Sequence, residues 1–443
     1  MRASSRIAVL VFFGAVALWF AVQLGLTITG LRITNEDDIF VAQAAADPAA
    51  AADNRGFDYA MGRIYVGVKF AILEAVMRVR PDGLQAAVRV ALMLPAAGAA
   101  AWFTWVWRRN RREALLVLVA IVGLFQISVS YQALMSQQTF WLGWTAVWLL
   151  GAFALQADSA ANRAGILVAF AAALACHESN AAFLPWAVAL RLVPQGGERP
   201  RVALRPFWAC AVVLAVFAGL ALSVRQQGSG APPLYTGTTL SPDLGRFALA
   251  LNVFSLGSFP GLESWRVRWT DTPHPLWLTP AQWLEQWRAW ITWTGVGGAG
   301  LLGLAVWLGL ARDGEEGAGA AGWEGSPRRH PVALLALLVA AAYAPNLLLA
   351  ATLKYQGWAQ QRMWPYYYSA MSYLVWIVVL VTGANLLLAK LRRPAWRAAG
   401  RAVAAMLAAV LALSVAGSSR EAAAHLRREP LHHIKFYPHG PGK

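Results

Sequence analysis

The feature that most constrains this chain is the recurrence of apolar stretches, each close to the ~20 residues needed to cross a bilayer as a helix, divided by short runs of arginine and lysine. Of the 443 residues, 58% are hydrophobic and only 14% are charged. A soluble domain carries about 25% charged residues to cover its surface. The composition therefore assigns an all-α integral membrane protein. The net charge of +16 does not signal nucleic-acid binding, because the basic residues do not gather on one polar domain. They fall in short connections, as at Arg108, Arg109, Arg111 and Arg112, or Lys390, Arg392 and Arg393. Cys176 and Cys210 both sit in apolar segments without a CxxC or Cys/His spacing, which gives no pattern for a zinc site or a disulfide scaffold.

Candidate spans lie at 7–31, 84–107, 114–135, 139–157, 204–224, 288–311, 331–353, 366–389 and 400–417. Segment 7–31 follows Arg2 and Arg6 and lacks a convincing cleavage site, so it is read as an uncleaved first span. Segment 164–193 is too long for one ordinary span and is interrupted by His177, Glu178, Ser179 and Asn180, with Pro185 beyond. Reading it as two short helices meeting at an external apex gives about eleven transmembrane helices with the N-terminus cytoplasmic. The basic connections 108–113, 312–330 and 390–401, and Arg199, Arg201 and Arg205, then all fall inside. A single crossing there would place every later basic loop on the wrong side. The polytopic domain is residues 1–417, with external loops 32–83 and 225–287 forming the site, followed by a C-terminal tail, 418–443. That tail carries Arg427, Arg428 and Lys435 outside, against the rule.

The large external segments have helical character. Segment 58–80 repeats apolar residues at helical spacing (Ile64, Val68, Ile72, Val76, Val79), interrupted by Arg63, Lys69, Arg78 and Arg80. That pattern predicts an interfacial helix. In loop 225–287, Ser241-Pro242-Asp243 opens a helical run through Phe254, and Thr279-Pro280-Ala281-Gln282 resembles a capping box. The interfacial aromatic belt accounts for most of the 22 tryptophans.

Four polar constellations could carry chemistry. Glu36, Asp37 and Asp38 follow the first span. A carboxylate there could deprotonate an acceptor hydroxyl, and Asp37 and Asp38 could bind a divalent cation through oxygen. The three acids could equally occupy the first turn of a capped helix. His177 and Glu178 interrupt an apolar segment, where ionisable groups are costly; a polar turn facing water is the alternative. Arg362 precedes Pro365, Tyr366 and Tyr367 at the external start of a late span. Its guanidinium suits a phosphate, while the aromatics suit an interface anchor. Arg63 and Lys69 could snorkel to lipid headgroups. In the eleven-span arrangement all four fall on the external side. No Ser-His-Asp, HExxH or P-loop pattern is present, which leaves proteolysis and ATP hydrolysis without support.

In layout over residues 1–390, the chain resembles the GT-C class of polytopic glycosyltransferases, which includes the protein O-mannosyltransferases and the lipid A aminoarabinose transferase. The similar features are the acids after the first span, the charged break at His177–Asn180, and Arg362 followed by Pro365, Tyr366 and Tyr367. The sequence departs from the class at Tyr131–Gln138, which lacks a second acidic motif, and at His177, where lysine is common. The resemblance implies transfer of a sugar from a polyprenyl-phosphate donor to a glycan, lipid or protein acceptor at the external membrane face. Asp37 or Asp38, with Glu36 beside them, would supply the base. Arg362, with Arg63 or Lys69, would hold the phosphate near His177, Glu178, Tyr366 and Tyr367. The setting implied is a bacterial inner membrane, with membrane lipid but no nucleic acid as partner. A transporter or flippase for lipid-linked glycans, or a polymerase or ligase, is the rival reading. A transporter predicts inverted repeats and midplane charges, which the sequence does not display.

Overall fold

The computed structural model describes residues 3–31, 66–125, 139–193, 204–227, 239–260, 281, 291–310, 331–360 and 366–428. Among these residues the chain is helical, and the extended pairing is a single bridge between Leu240 and Thr352. In chain order the helices are α1 (Ala3–Ile28), α2 (Val66–Met77), α3 (Asp82–Arg108), α4 (Arg111–Gly123), α5 (Thr139–Ala154), α6 (Ala160–Cys176) and α7 (Phe183–Leu192). There follow α8 (Arg205–Gln227), α9 (Leu244–Gly257), α10 (Trp293–Gly309), α11 (Pro331–Ala350), α12 (Leu353–Gln360), α13 (Tyr366–Lys390) and α14 (Pro394–Arg428). A 3-10 turn, Glu178–Ala182, joins α6 to α7. Among the described residues, six helices are long and apolar enough to cross a membrane: Ile7–Ile28, Asp82–Arg108, Arg205–Ser223, Pro331–Ala350, Ala370–Lys390 and Pro394–Ala424. The chain is thus a helical integral membrane protein.

Each segment expected to span carries a helix, and the expected interfacial segment 58–80 contains α2. The helix expected from Ser241-Pro242-Asp243 is α9; the Asp243 carboxylate accepts from the Arg246 N–H at 2.9 Å and fixes its first turn. The last helix is longer than the apolar run 400–417. Pro394 starts it, where a missing N–H costs nothing, and it continues to Arg428. The added turns, Arg420-Glu-Ala-Ala-Ala-His-Leu-Arg-Arg428, are rich in strong helix formers.

Long-range contacts fix which helix ends lie together. At one end, Glu113 in the first turn of α4 is fully buried and accepts from the Arg108 Nε at 3.2 Å and from the Asn385 amide late in α13. At the other end, the Tyr373 hydroxyl early in α13 donates to the Leu124 carbonyl just after α4. There Arg420 of α14 meets Thr292 and Thr294 at the start of α10, and Arg427 meets the end of α1.

The segment from α6 through α7 doubles back. Arg191 near the end of α7 donates to the Gln156 carbonyl and lies 3.9 Å from Asp158, both immediately before α6. A straight continuation would carry Arg191 a helix length away. Small residues allow close helix approach: Gly303 of α10 lies against the Ala405 carbonyl and Ala409 of α14, so that a Cβ there would meet them at 3.1 and 3.4 Å.

Candidate functional site

Glu36, Asp37, Asp38, Arg63 and Arg362 lie outside the described residues. Lys69 falls within α2, and Tyr366 and Tyr367 open α13. His177 and Glu178 are fully placed, in the turn between α6 and α7.

His177 ends α6 with extended backbone (φ −168°, ψ 139°) and caps the 3-10 turn that follows. Its Nδ1 accepts from the Ser179 backbone N–H at 3.1 Å and lies 2.8 Å from the Ser179 hydroxyl. That network assigns the proton of the neutral ring to Nε2. The ring is only 5% exposed and rests 4.8 Å from the Phe140 ring at the start of α5. Asn180, also buried, donates from Nδ2 to the Ala173 carbonyl at 2.9 Å, the same carbonyl that accepts the His177 N–H. A helix terminus inside an apolar bundle leaves carbonyls that must be satisfied, and Asn180 supplies the second bond. The Glu178 side chain, 43% exposed, turns outward from this frame, 3.6 Å from His177 Nδ1. The break therefore presents one partly exposed carboxylate on a rigid, buried His-Ser-Asn support. Its chemistry is that of a hydrogen-bond acceptor or a counter-charge to a cation.

The break lies at the bundle end where α1 finishes and α13 begins. Phe125, following α4, packs 5.6 Å from Trp141, beside Phe140 and His177. Leu124, one residue earlier, receives the Tyr373 hydrogen bond from α13. Gly123 admits Phe20 of α1 so closely that a Cβ would stand 2.8 Å from its ring. The structure thus brings the His177 break, the outgoing end of α1 and the incoming end of α13 to one face.

A second polar cluster at this end escaped the sequence reading. Asn346 of α11 is fully buried and donates from Nδ2 to the hydroxyls of Ser255 at 3.1 Å and Ser372 at 2.9 Å. Trp376 Nε1 donates to the Ser255 carbonyl at 2.9 Å. These bonds pin α9, from the expected external loop 225–287, onto α11 and α13. The signal available was a lone asparagine after Pro345 within an apolar run, a costly residue in a membrane segment. Among the described residues, no group of three or more His, Cys, Asp or Glu side chains gathers in metal-binding geometry. Compared with protein families, characterised proteins and solved structures, the chain matches none.

Proposed function

We propose that the chain is a membrane glycosyltransferase that moves a sugar from a polyprenyl-phosphate donor to an acceptor hydroxyl at the external face. The observation that carries this reading is the convergence of α1's outgoing end, the His177–Asn180 break and the start of α13 at one end of the bundle. The acids 36–38 begin eight residues after Ile28, the end of α1, and Arg362 lies four residues before Tyr366, the start of α13. In this reading the chain crosses the membrane eleven times from a cytoplasmic N-terminus, and that end is external. The doubling back of α6 and α7 supports the count, since it restores the inward placement of the later basic loops.

The chemistry is a displacement at the anomeric carbon. Asp37 or Asp38 takes the proton of the acceptor hydroxyl as its oxygen bonds to that carbon. The bond from the carbon to the phosphate oxygen breaks, and polyprenyl phosphate leaves with the electron pair. Arg362, with Arg63 or Lys69, neutralises the leaving phosphate; preorganised cations there act on charge that develops during transfer. Glu178 and His177 border the same face and contribute to sugar or acceptor binding. Helix α9, which lies at this end, shapes acceptor choice.

The test is a mass-spectrometric profile of envelope glycans and glycolipids. A deletion strain is complemented with wild type, with Asp37→Asn/Asp38→Asn, or with empty vector, at equal protein levels. A glycan restored by wild type alone supports transfer. Restoration by the double variant removes the acids from catalysis and favours transport of a lipid-linked glycan.

A further inference from the structure

Two arginines near the end of α14 stand where the charge pattern calls for none. Arg420 and Arg427 are seven residues apart, about two helical turns, and so project from one side of the helix. Arg427 donates to the Thr27 and Thr29 carbonyls at 2.6 and 3.3 Å, satisfying acceptors at the end of α1. Arg420 has no comparable compensation. Its two terminal nitrogens donate to the hydroxyls of Thr292 and Thr294, at the N-terminus of α10. That is the positive end of a helix dipole, which disfavours a cation. Among the described residues no carboxylate pairs with either arginine.

Both guanidinium groups border a cleft between α1, α10 and α14. Its inner part, about 60 Å³, reaches Trp19, Gln23, Gly298 and Arg420; its mouth, about 360 Å³, is framed by Thr27, Thr294 and Arg427. Among the described residues, no side chain or backbone group hydrogen-bonds the side chain of Gln23, which is half-buried in the apolar α1. Its amide lines both parts of the cleft, where the polar atoms of a ligand can meet it. Leu26 lines the mouth, and the helices that form it carry further exposed apolar residues: Leu18 and Val22 on α1, Val296 on α10, and Trp293, which is 93% exposed.

We infer that this cleft binds the headgroup of a phosphate-bearing membrane lipid, with Arg420 and Arg427 on the phosphate, Gln23 on the adjoining polar atoms, and the acyl chains along the exposed face of α1. An anion there offsets Arg420 against the α10 dipole and accounts for basic residues at the external end of the last helix. The apolar rim selects a lipid over a free anion. The inference rests on the cleft and on that external placement of its arginines, and stands whether or not the chain transfers sugars.

The experiment is native mass spectrometry of the delipidated full chain in detergent, titrated with dioleoylphosphatidylglycerol. Wild type binds one lipid more tightly than the rest. Arg420→Gln weakens that first binding by about tenfold or more, the loss of one charge-assisted hydrogen bond. Arg420→Lys retains more affinity than Arg420→Gln. Gln23→Leu, which suits an apolar helix and so preserves folding, weakens it by a few-fold. Uncharged dioleoylglycerol fails to compete, and inorganic phosphate fails to displace the lipid. Unchanged affinity in both Arg420→Gln and Gln23→Leu overturns the assignment. Equal binding of dioleoylglycerol overturns the phosphate contact, and displacement by inorganic phosphate overturns the choice of a lipid.

Discussion

Replacing Gly143 by alanine tests how the helix break is held. A Cβ at Gly143 would stand 2.7 Å from Asn180 Nδ2 and 3.0 Å from Cys176 Cβ. Unstrained heavy-atom contacts lie at about 3.5–4.0 Å, so the methyl overlaps both neighbours. Neither yields easily: Asn180 is held by its bond to the Ala173 carbonyl, and Cys176 Cβ is fixed by the α6 backbone. Overpacking of this kind costs about 1–3 kcal/mol, and loss of the Asn180 bond adds about 1 kcal/mol. Alanine's helix propensity returns about 1 kcal/mol. The expected net is a destabilisation of about 1–3 kcal/mol. Gly98→Ala in α3 is the control, because nothing lies within 4 Å of a Cβ there; it should gain up to about 1 kcal/mol from propensity alone. Thermal unfolding of both variants in one detergent, followed by size-exclusion chromatography, should place Gly143→Ala below wild type and Gly98→Ala at or above it. Equal midpoints for the two variants would refute the close approach of α5 to the break.

Three further outcomes follow from buried polar contacts. Glu113→Ala strands Arg108 and the Asn385 amide, and should cost about 3–5 kcal/mol as the loss of a buried ion pair, read as a lowered thermal midpoint; a change under about 1 kcal/mol would mean the pair is solvated. Tyr373→Phe removes the hydroxyl's bond to the Leu124 carbonyl, and should cost about 1–3 kcal/mol because that acceptor loses its donor, read as a lowered thermal midpoint. Asn346→Ala removes the donor shared by Ser255 and Ser372; protease cleavage between α9 and α10 should accelerate as α9 loosens, while the far end of the bundle is unaffected.

Hydropathy made the helices legible, and the charge count made the hairpin legible. The turn-back at 177–182 was readable because His177, Glu178, Ser179 and Asn180 interrupt an apolar run and the charge rule favours placing Arg199, Arg201 and Arg205 on the side of the other basic connections. The pair that closes the hairpin, Arg191 with Asp158, was not singled out, because each alone looks like an ordinary charge at a helix end. Asn385 with Glu113 is separated by 272 residues, and no local pattern signals such a contact. The extension of α14 past 417 was missed because hydropathy ends there while helix propensity does not. Of the expected site, the geometry of His177 and Glu178 is in view. Glu36, Asp37, Asp38, Arg63 and Arg362 lie outside the described residues, and their roles rest on sequence order.

Glycosyl transfer itself is tested most directly with purified protein in proteoliposomes carrying a panel of polyprenyl-phosphate sugars and a membrane-lipid extract as acceptor, measuring release of free polyprenyl phosphate. The account predicts release from at least one donor by wild type, and background release by Asp37→Asn/Asp38→Asn. Equal release by the double variant, or no release by wild type with a donor whose glycan product disappears in the deletion strain, would contradict it.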